Sequence, residues 1–271
     1  MTGVNTVLPQ FHAIKLVRRA RVLSVILDRP EKLNAFNATL HTELVGALAF
    51  ASGDPGSDTV ILTGAGRAFS AGGDIGWQHD ACENPKIFEQ TVREARQIIF
   101  GLIDCEKPTI AKINGPAVGF GATLALFCDV SFIARSTYVA DPHVCVGMVA
   151  GDGAAIIWPQ LIGFARAREY LLTGDRISAV VAERIGLVNH AVDDSELDSR
   201  VDAFADRLAA GAQQAIRYSK LAINTVLRSL VSAALDVGLG YESVTNVSDD
   251  HREAIMAFHE GRAPRFGRTK S

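Results

Sequence analysis

Two segments of this chain run from a short apolar strand through a glycine turn straight into an apolar helix. In the first, Thr59 to Thr63 reads as a buried strand and Gly64-Ala65-Gly66 as a turn. Ala68-Phe69-Ser70-Ala71-Gly72-Gly73-Asp74-Ile75 then forms the junction. The second has a strand over Thr109 to Ile113, a turn at Asn114-Gly115-Pro116, and a glycine-punctuated entry into a helix reaching toward Asp129. A helix that starts this abruptly leaves its first N–H groups unpaired and aimed at one point. In an apolar setting that point suits a developing oxyanion, such as a thioester carbonyl becoming an enolate or a tetrahedral adduct. Two junctions of this kind supply a pair of donors.

The rest of the chain limits what surrounds them. The 271 residues, 48% hydrophobic with 24 glycines, suffice for a sizeable core and frequent turns. A net charge of −3 gives no reason to expect a nucleic-acid or anionic-membrane partner. The amino terminus MTGVNTVLPQFH lacks a basic and then apolar leader, and no apolar run is expected to approach the ~20 residues of a membrane span. Cys82, Cys105, Cys128 and Cys145 form no CxxC pair, so they read as reduced core residues of a cytoplasmic protein, Cys145 lying near the candidate site. The histidines show no metal-ligand spacing, and no metal is expected.

Ile14 to Val17 and Val22 to Leu27 read as strands, and Thr39 to Ala51 as a helix with Leu40, Leu44, Ala47 and Leu48 at helical spacing. Asn84-Pro85 opens a helix reaching to about Asp104. Val130 to Ala134 is a strand, Ala154 to Ile162 and Ala165 to Leu172 are helices, and Ser178 caps Ala179 to Ile185 before Gly186. A strand over Leu187 to Val192 precedes a long helical tail. Repeated strand–turn–helix units with such a tail predict an α/β protein with a parallel-sheet core. Periodicity alone leaves an open doubly wound sheet equally allowed. The basic segment RAPRFGRTK, Arg262 to Lys270, reads first as a solvated terminus and second as a CoA-phosphate contact.

The order VILTGAGRAFSAGGDI, a helix, then KPTIAKINGPAVGFGATLALFCD resembles the crotonase superfamily, the enoyl-CoA hydratases and isomerases. LDRPEKLNAFN, Leu27 to Asn37, fits the same family where it wraps the adenine of CoA. The resemblance implies a spiral of ββα turns over residues 1–195 and a helical oligomerisation region over 196–271, building a homotrimer or hexamer. It also implies an oxyanion hole from the N–H groups of Ala71 and Phe120, and a CoA site including Arg29, Lys32, Leu33 and Ala35. No permanent cofactor is implied; coenzyme A enters as part of the substrate.

The chain departs from the hydratase pattern where the chemistry lies. Thr123 and His143 stand at the positions of the two hydratase glutamates, and a threonine has no useful pKa for proton transfer. Phe120 replaces the middle glycine of a GGG run, keeping the N–H while its ring takes up pocket volume. His143 has a side chain that titrates near neutrality, and a carboxylate on its second nitrogen would orient it. Asp152, nine residues on between glycines, can return to His143 or simply cap the following helix; Asp141 is a third acid within reach. Trp77 and His79 read as pocket wall, with Thr123 and Asp141 also near the substrate. His143, Asp152, Ile157-Trp158-Pro159 and Leu171 to Gly174 are also similar to the oxocamphor hydrolase branch, which hydrolyses a carbon–carbon bond in a cyclic β-diketone.

The expected function is polarisation of an acyl-CoA or β-diketone carbonyl, with His143 as general base in a retro-Claisen hydrolysis. Hydration with a substitute base, thioester hydrolysis and non-catalytic acyl-CoA binding are the alternatives.

Overall fold

A computed structural model describes residues 6–267; residues 1–5 and 268–271, which include the start of MTGVNTVLPQFH and the end of RAPRFGRTK, lie outside the described residues. The large sheet has six strands: β1 (Ile14–Arg19), β2 (Val22–Leu27), β3 (Thr59–Gly64), β4 (Thr109–Ile113), β6 (Val130–Ala134) and β9 (His190–Val192), in the order β1-β2-β3-β4-β6-β9. Only the β1–β2 hairpin is antiparallel. β3 is buried along its whole length, as a central parallel strand of Thr, Val, Ile and Leu should be.

A second, three-stranded sheet joins β5 (Ala117–Val118), β7 (Tyr138–Ala140) and β8 (Ile177–Ser178). Isolated bridges Phe36↔Gly73 and Ser70↔Ala117 carry the same side-by-side pairing onto earlier crossings of the chain. Successive crossings thus place one strand in the large sheet and one short segment beside the small one. This is the ββα spiral, not a doubly wound sheet.

Helices fill the spaces between: α1 (Ala38–Gly53), α2 (Ile75–Glu83), α3 (Pro85–Asp104), α4 (Phe120–Leu126), α5 (Ala154–Thr173) and α6 (Ala179–Ile185). Asn37, Asp74, Asn84 and Ser178 cap α1, α2, α3 and α6 with their side chains. Gly163, at φ 76 and ψ 159, breaks α5 between the two expected helices. β9 is shorter than expected, because residues 187–189 form bends instead of pairing.

The tail comprises α7 (Leu197–Ala209), α8 (Gln213–Asn246) and α9 (Asp249–Glu260). α7 covers one face of the large sheet through Leu197, Val201 and Ala205, which pack with Val22, Ile61, Ile110 and Phe132. α8 lies on α3 and α5, while α9 reaches back to α2 and the short 3₁₀ turn His143–Val146. α8 is long and apolar enough by length and composition to cross a membrane, but Arg228, Asp236 and Glu242 break it into short apolar runs. Cys82, Cys105 and Cys128 are buried free thiols and Cys145 is exposed.

Candidate active site

The two glycine junctions meet, but one donor is not the residue expected. The Ala71 N–H donates to the Leu33 carbonyl at 2.9 Å, so it is spent on holding the Leu27–Asn37 loop. Gly73 is free for the role instead. Phe36 N–H bonds to the Gly72 carbonyl (2.7 Å) and Asp74 N–H to the Phe36 carbonyl (2.8 Å), so Phe36 pairs with the residues on either side of Gly73. Gly73's own N–H then faces the opposite side of the strand and has no partner among the described residues. The Phe120 N–H, first in α4, is likewise without a partner there. It is aimed by Gly119, whose φ of 54 and ψ of −127 suit glycine alone. Gly73 thus replaces Ala71 beside Phe120.

The Phe120 ring is buried between Phe36 (centroids 5.0 Å apart, edge-on) and His41 (5.1 Å, stacked). It helps close an inner chamber of about 50 Å³ lined mainly by Phe36, Trp77, Phe88, Val92, Met148 and Leu239. An outer cleft of about 490 Å³ is lined by Lys32, Leu33, Ala35, Ala71, Val118 and Phe258, among others. Chamber and cleft share Gly73, Gln78 and His143. Three of the four expected CoA residues therefore face the cleft. Arg29 does not serve as a free cation: its guanidinium donates to the Ala35 carbonyl and pairs with Asp74 at 3.3 Å. It braces the loop beside Gly73.

His143 opens the 3₁₀ turn His143–Val146, and Asp141 holds it: Oδ1 lies 2.5 Å from the ring Nδ1. Asp152, expected as the orienter, instead stands on the other side, with Oδ2 3.7 Å from Nε2. Its Oδ1 accepts the Thr123 hydroxyl at 3.0 Å and the Ala154 N–H at 3.4 Å. Thr123 is therefore fully buried behind Asp152 and does not line the chamber. Gly153, not Asp152, holds the N-cap position of α5, but Asp152 Oδ1 still reaches the first N–H of that helix, so Asp152 serves both the helix start and the imidazole.

Two further site residues went unrecognised in the sequence. Glu242 comes from α8, buried beside Asp152 and His143, its Oε2 without a partner among the described residues. It follows Leu235 and Leu239 at helical spacing on the buried face, the one signal that marked it. His41 sits on the apolar face of α1 with Leu44 and Leu48, only 3% exposed. His79, by contrast, is exposed on α2, outside the chamber.

Burial and charge set the protonation states. Burial opposes a charged His143, yet Asp141 and Asp152 outweigh it and raise its pKa well above 6.5. Burial, with Asp152 nearby, pushes the Glu242 carboxyl up to about 8. Burial also raises Asp152, against the pull of His143, and depresses His41 to about 3. Near neutrality the site thus holds a proton on His143 and another on Glu242, with His41 neutral. It can stabilise an oxyanion, donate protons into the chamber, and accept one once His143 deprotonates.

The enoyl-CoA hydratase/isomerase family model matches residues 18–269. The chain belongs to the enoyl-CoA hydratase/isomerase family. It is 31% identical over 264 residues to a crotonyl-CoA hydratase of Syntrophomonas wolfei, covering 94% of this chain and 98% of that one. It is 32% identical over 247 residues to a 1,2-epoxyphenylacetyl-CoA isomerase of Escherichia coli, covering 90% and 94%. A crystal structure of an enoyl-CoA hydratase/isomerase from Mycobacterium paratuberculosis superposes with a TM-score of 0.87 at 38% identity, over 90% of this chain and 97% of that one. Family membership makes this a crotonase-fold enzyme of acyl-CoA chemistry.

Proposed function

We propose that this family member hydrolyses an activated carbon–carbon bond in a β-dicarbonyl acyl-CoA, a retro-Claisen cleavage. The observation that carries this reading is the cluster itself: Asp141 and Asp152 on either side of the His143 imidazole, with Glu242, whose pKa burial raises, beside them. Thr123 and His143 stand where the hydratases resembled by this sequence carry glutamates, which disfavours simple hydration.

In the proposed reaction, water sits to one side of the His143 Nε2–Asp152 Oδ2 pair, in contact with both, and neutral His143 takes its proton as the oxygen attacks the β-carbonyl carbon. The tetrahedral adduct collapses, the Cα–Cβ bond breaks, and its electron pair becomes a thioester enolate held by the Gly73 and Phe120 N–H groups. Glu242 protonates Cα, His143 returns its proton to Glu242, and a carboxylic acid and a shortened acyl-CoA leave. The CoA moiety would lie along Lys32, Leu33 and Ala35. The exposed apolar residues Ile223, Val226, Val237, Tyr241 and Val244 of α8 support a homotrimer or hexamer.

Incubation with acetoacetyl-CoA in ¹⁸O-labelled water tests this. Labelled acetate together with acetyl-CoA supports the cleavage. Free CoA with intact acetoacetate would make the protein a thioesterase. Hydration of crotonyl-CoA without cleavage of any β-dicarbonyl would make it a hydratase, and saturable binding without product a binder.

A further inference from the structure

Two residues that line the inner chamber, Trp77 and His41, carry buried nitrogens that nothing among the described residues satisfies. Trp77 Nε1 and His41 Nδ1 are both closed off from water and have no hydrogen-bond partner among the described residues. Their rings lie 5.2 Å apart, and His41 stacks on the ring of Phe120, whose own N–H is the oxyanion donor. An indole N–H only donates, and an imidazole kept neutral by burial carries one N–H of its own. The remaining walls are mixed: Phe36 and Leu239 are among the apolar residues, while Gln78, Thr91, His143, Asp152 and Glu242 are polar. Burying polar groups unpaired is unfavourable, and chains tolerate it where a ligand completes the bonding.

We propose that Trp77 and His41 form a second binding site for an oxygen on the acyl part of the substrate, one that selects 3-oxoacyl (β-dicarbonyl) thioesters over simple acyl or enoyl ones. This rests on the cleavage reading above, which needs such a site. When water adds to the β-carbonyl carbon, negative charge develops on the β-oxygen, distinct from the thioester oxygen held by Gly73 and Phe120. With its single proton on Nδ1, neutral His41 joins Trp77 Nε1 as a donor that stabilises that charge without giving up a proton. A substrate lacking the oxygen would leave both nitrogens unpaired, and sites built around a hydrogen bond reject such analogues strongly. Because the chamber is only about 50 Å³, the packed rings of Trp77, His41 and Phe120 must part to admit the group.

Calorimetric binding of acetoacetyl-CoA and butyryl-CoA, which differ by this oxygen, tests the proposal in a His143→Ala background that prevents turnover. Acetoacetyl-CoA is expected to bind at least about tenfold more tightly. The ratio should collapse toward one in Trp77→Phe, which keeps an aromatic ring but loses the N–H, and in His41→Phe. Equal affinities in the parent, or a preference that survives both substitutions, would overturn it. If neither thioester binds, the acyl-CoA reading falls by itself. Cyclohexane-1,3-dione against cyclohexanone, on the same three proteins, then probes the two donors without CoA. A preference for the dione that both substitutions abolish supports the site, and equal binding of the two ketones overturns it.

Discussion

His143 Nε2 and Asp152 Oδ2 stand 3.7 Å apart, too far to hydrogen-bond and close enough for one water to bridge them. Asp141 occupies the other ring nitrogen at 2.5 Å, so orientation and proton exchange fall to different carboxylates. Asp141→Asn should therefore cost most of the rate by loosening tautomer control, and Asp141→Ala combined with His143→Ala should fall no lower than His143→Ala alone. The general-base share is about 10²–10⁴-fold in kcat. Steady-state kinetics of the single and double variants measure it; additive losses would separate the two residues.

The pH–rate profile follows from the shifted groups. His143 must lose a proton to act as base, and its pKa is raised by Asp141 and Asp152, so the rising limb belongs above pH 6.5. Glu242 must hold a proton to act as acid, so activity should fall as pH passes about 8. A narrow optimum on the alkaline side of neutrality is expected. Glu242→Gln should remove the falling limb together with much of the rate. A rising limb at or below pH 6.5 would contradict the assignment.

Phe120→Pro removes one hole donor at the first position of α4, where proline is well tolerated. Loss of about 10²–10³ in kcat is expected with the fold intact, as judged by circular dichroism. Phe120→Leu keeps the N–H and should retain the rate on small substrates. Ala71→Gly keeps the N–H bonded to Leu33 and should leave turnover unchanged, which makes it the control for backbone substitution at this junction.

Stability should respond to pH in two opposite ways. Glu242 has a folded pKa raised from 4.5 to about 8, so the folded state binds the extra proton and stability declines as pH rises across that window. His41 has a folded pKa lowered from 6.5 to about 3, so stability declines as pH falls across that interval. Urea denaturation of Glu242→Gln should lose the first decline, and of His41→Phe the second.

Thr123→Val deletes the hydroxyl that donates to Asp152 Oδ1 at 3.0 Å inside the core. About 1–3 kcal/mol of stability should go with it, because a buried carboxylate oxygen loses its better partner. Losing a hydrogen bond to the charged form also raises the Asp152 pKa further, so kcat should fall while KM holds. Full activity in this variant would leave Asp152 outside the proton path.

The individual strands, turns and helices were legible because their signals are local, whereas the choice of spiral over doubly wound sheet rested on the family resemblance alone. Strand runs such as Thr59 to Thr63, caps at Asn84 and Ser178, and the breaks near Gly163 and Gly186 act over a few residues, and both glycine junctions stand in the sequence as written. Which N–H of the first junction stays free was not legible. It depends on the pairing register with Phe36, which turns Gly73 one way and Ala71 toward Leu33. The role of Arg29 likewise depends on Asp74, 45 residues away in sequence. Asp141 and Asp152 were both visible as acids, but only the fold of the 3₁₀ turn assigned them to opposite sides of the imidazole. Spacing from Leu235 and Leu239 marked Glu242 only as facing inward: α8 brings it to the chamber through packing against α3 and α5, and burial then raises its carboxyl pKa to about 8. Residue identity determined which groups were available for chemistry. Register and burial, which belong to the packed chain, decided which of them face the substrate and in which charge state.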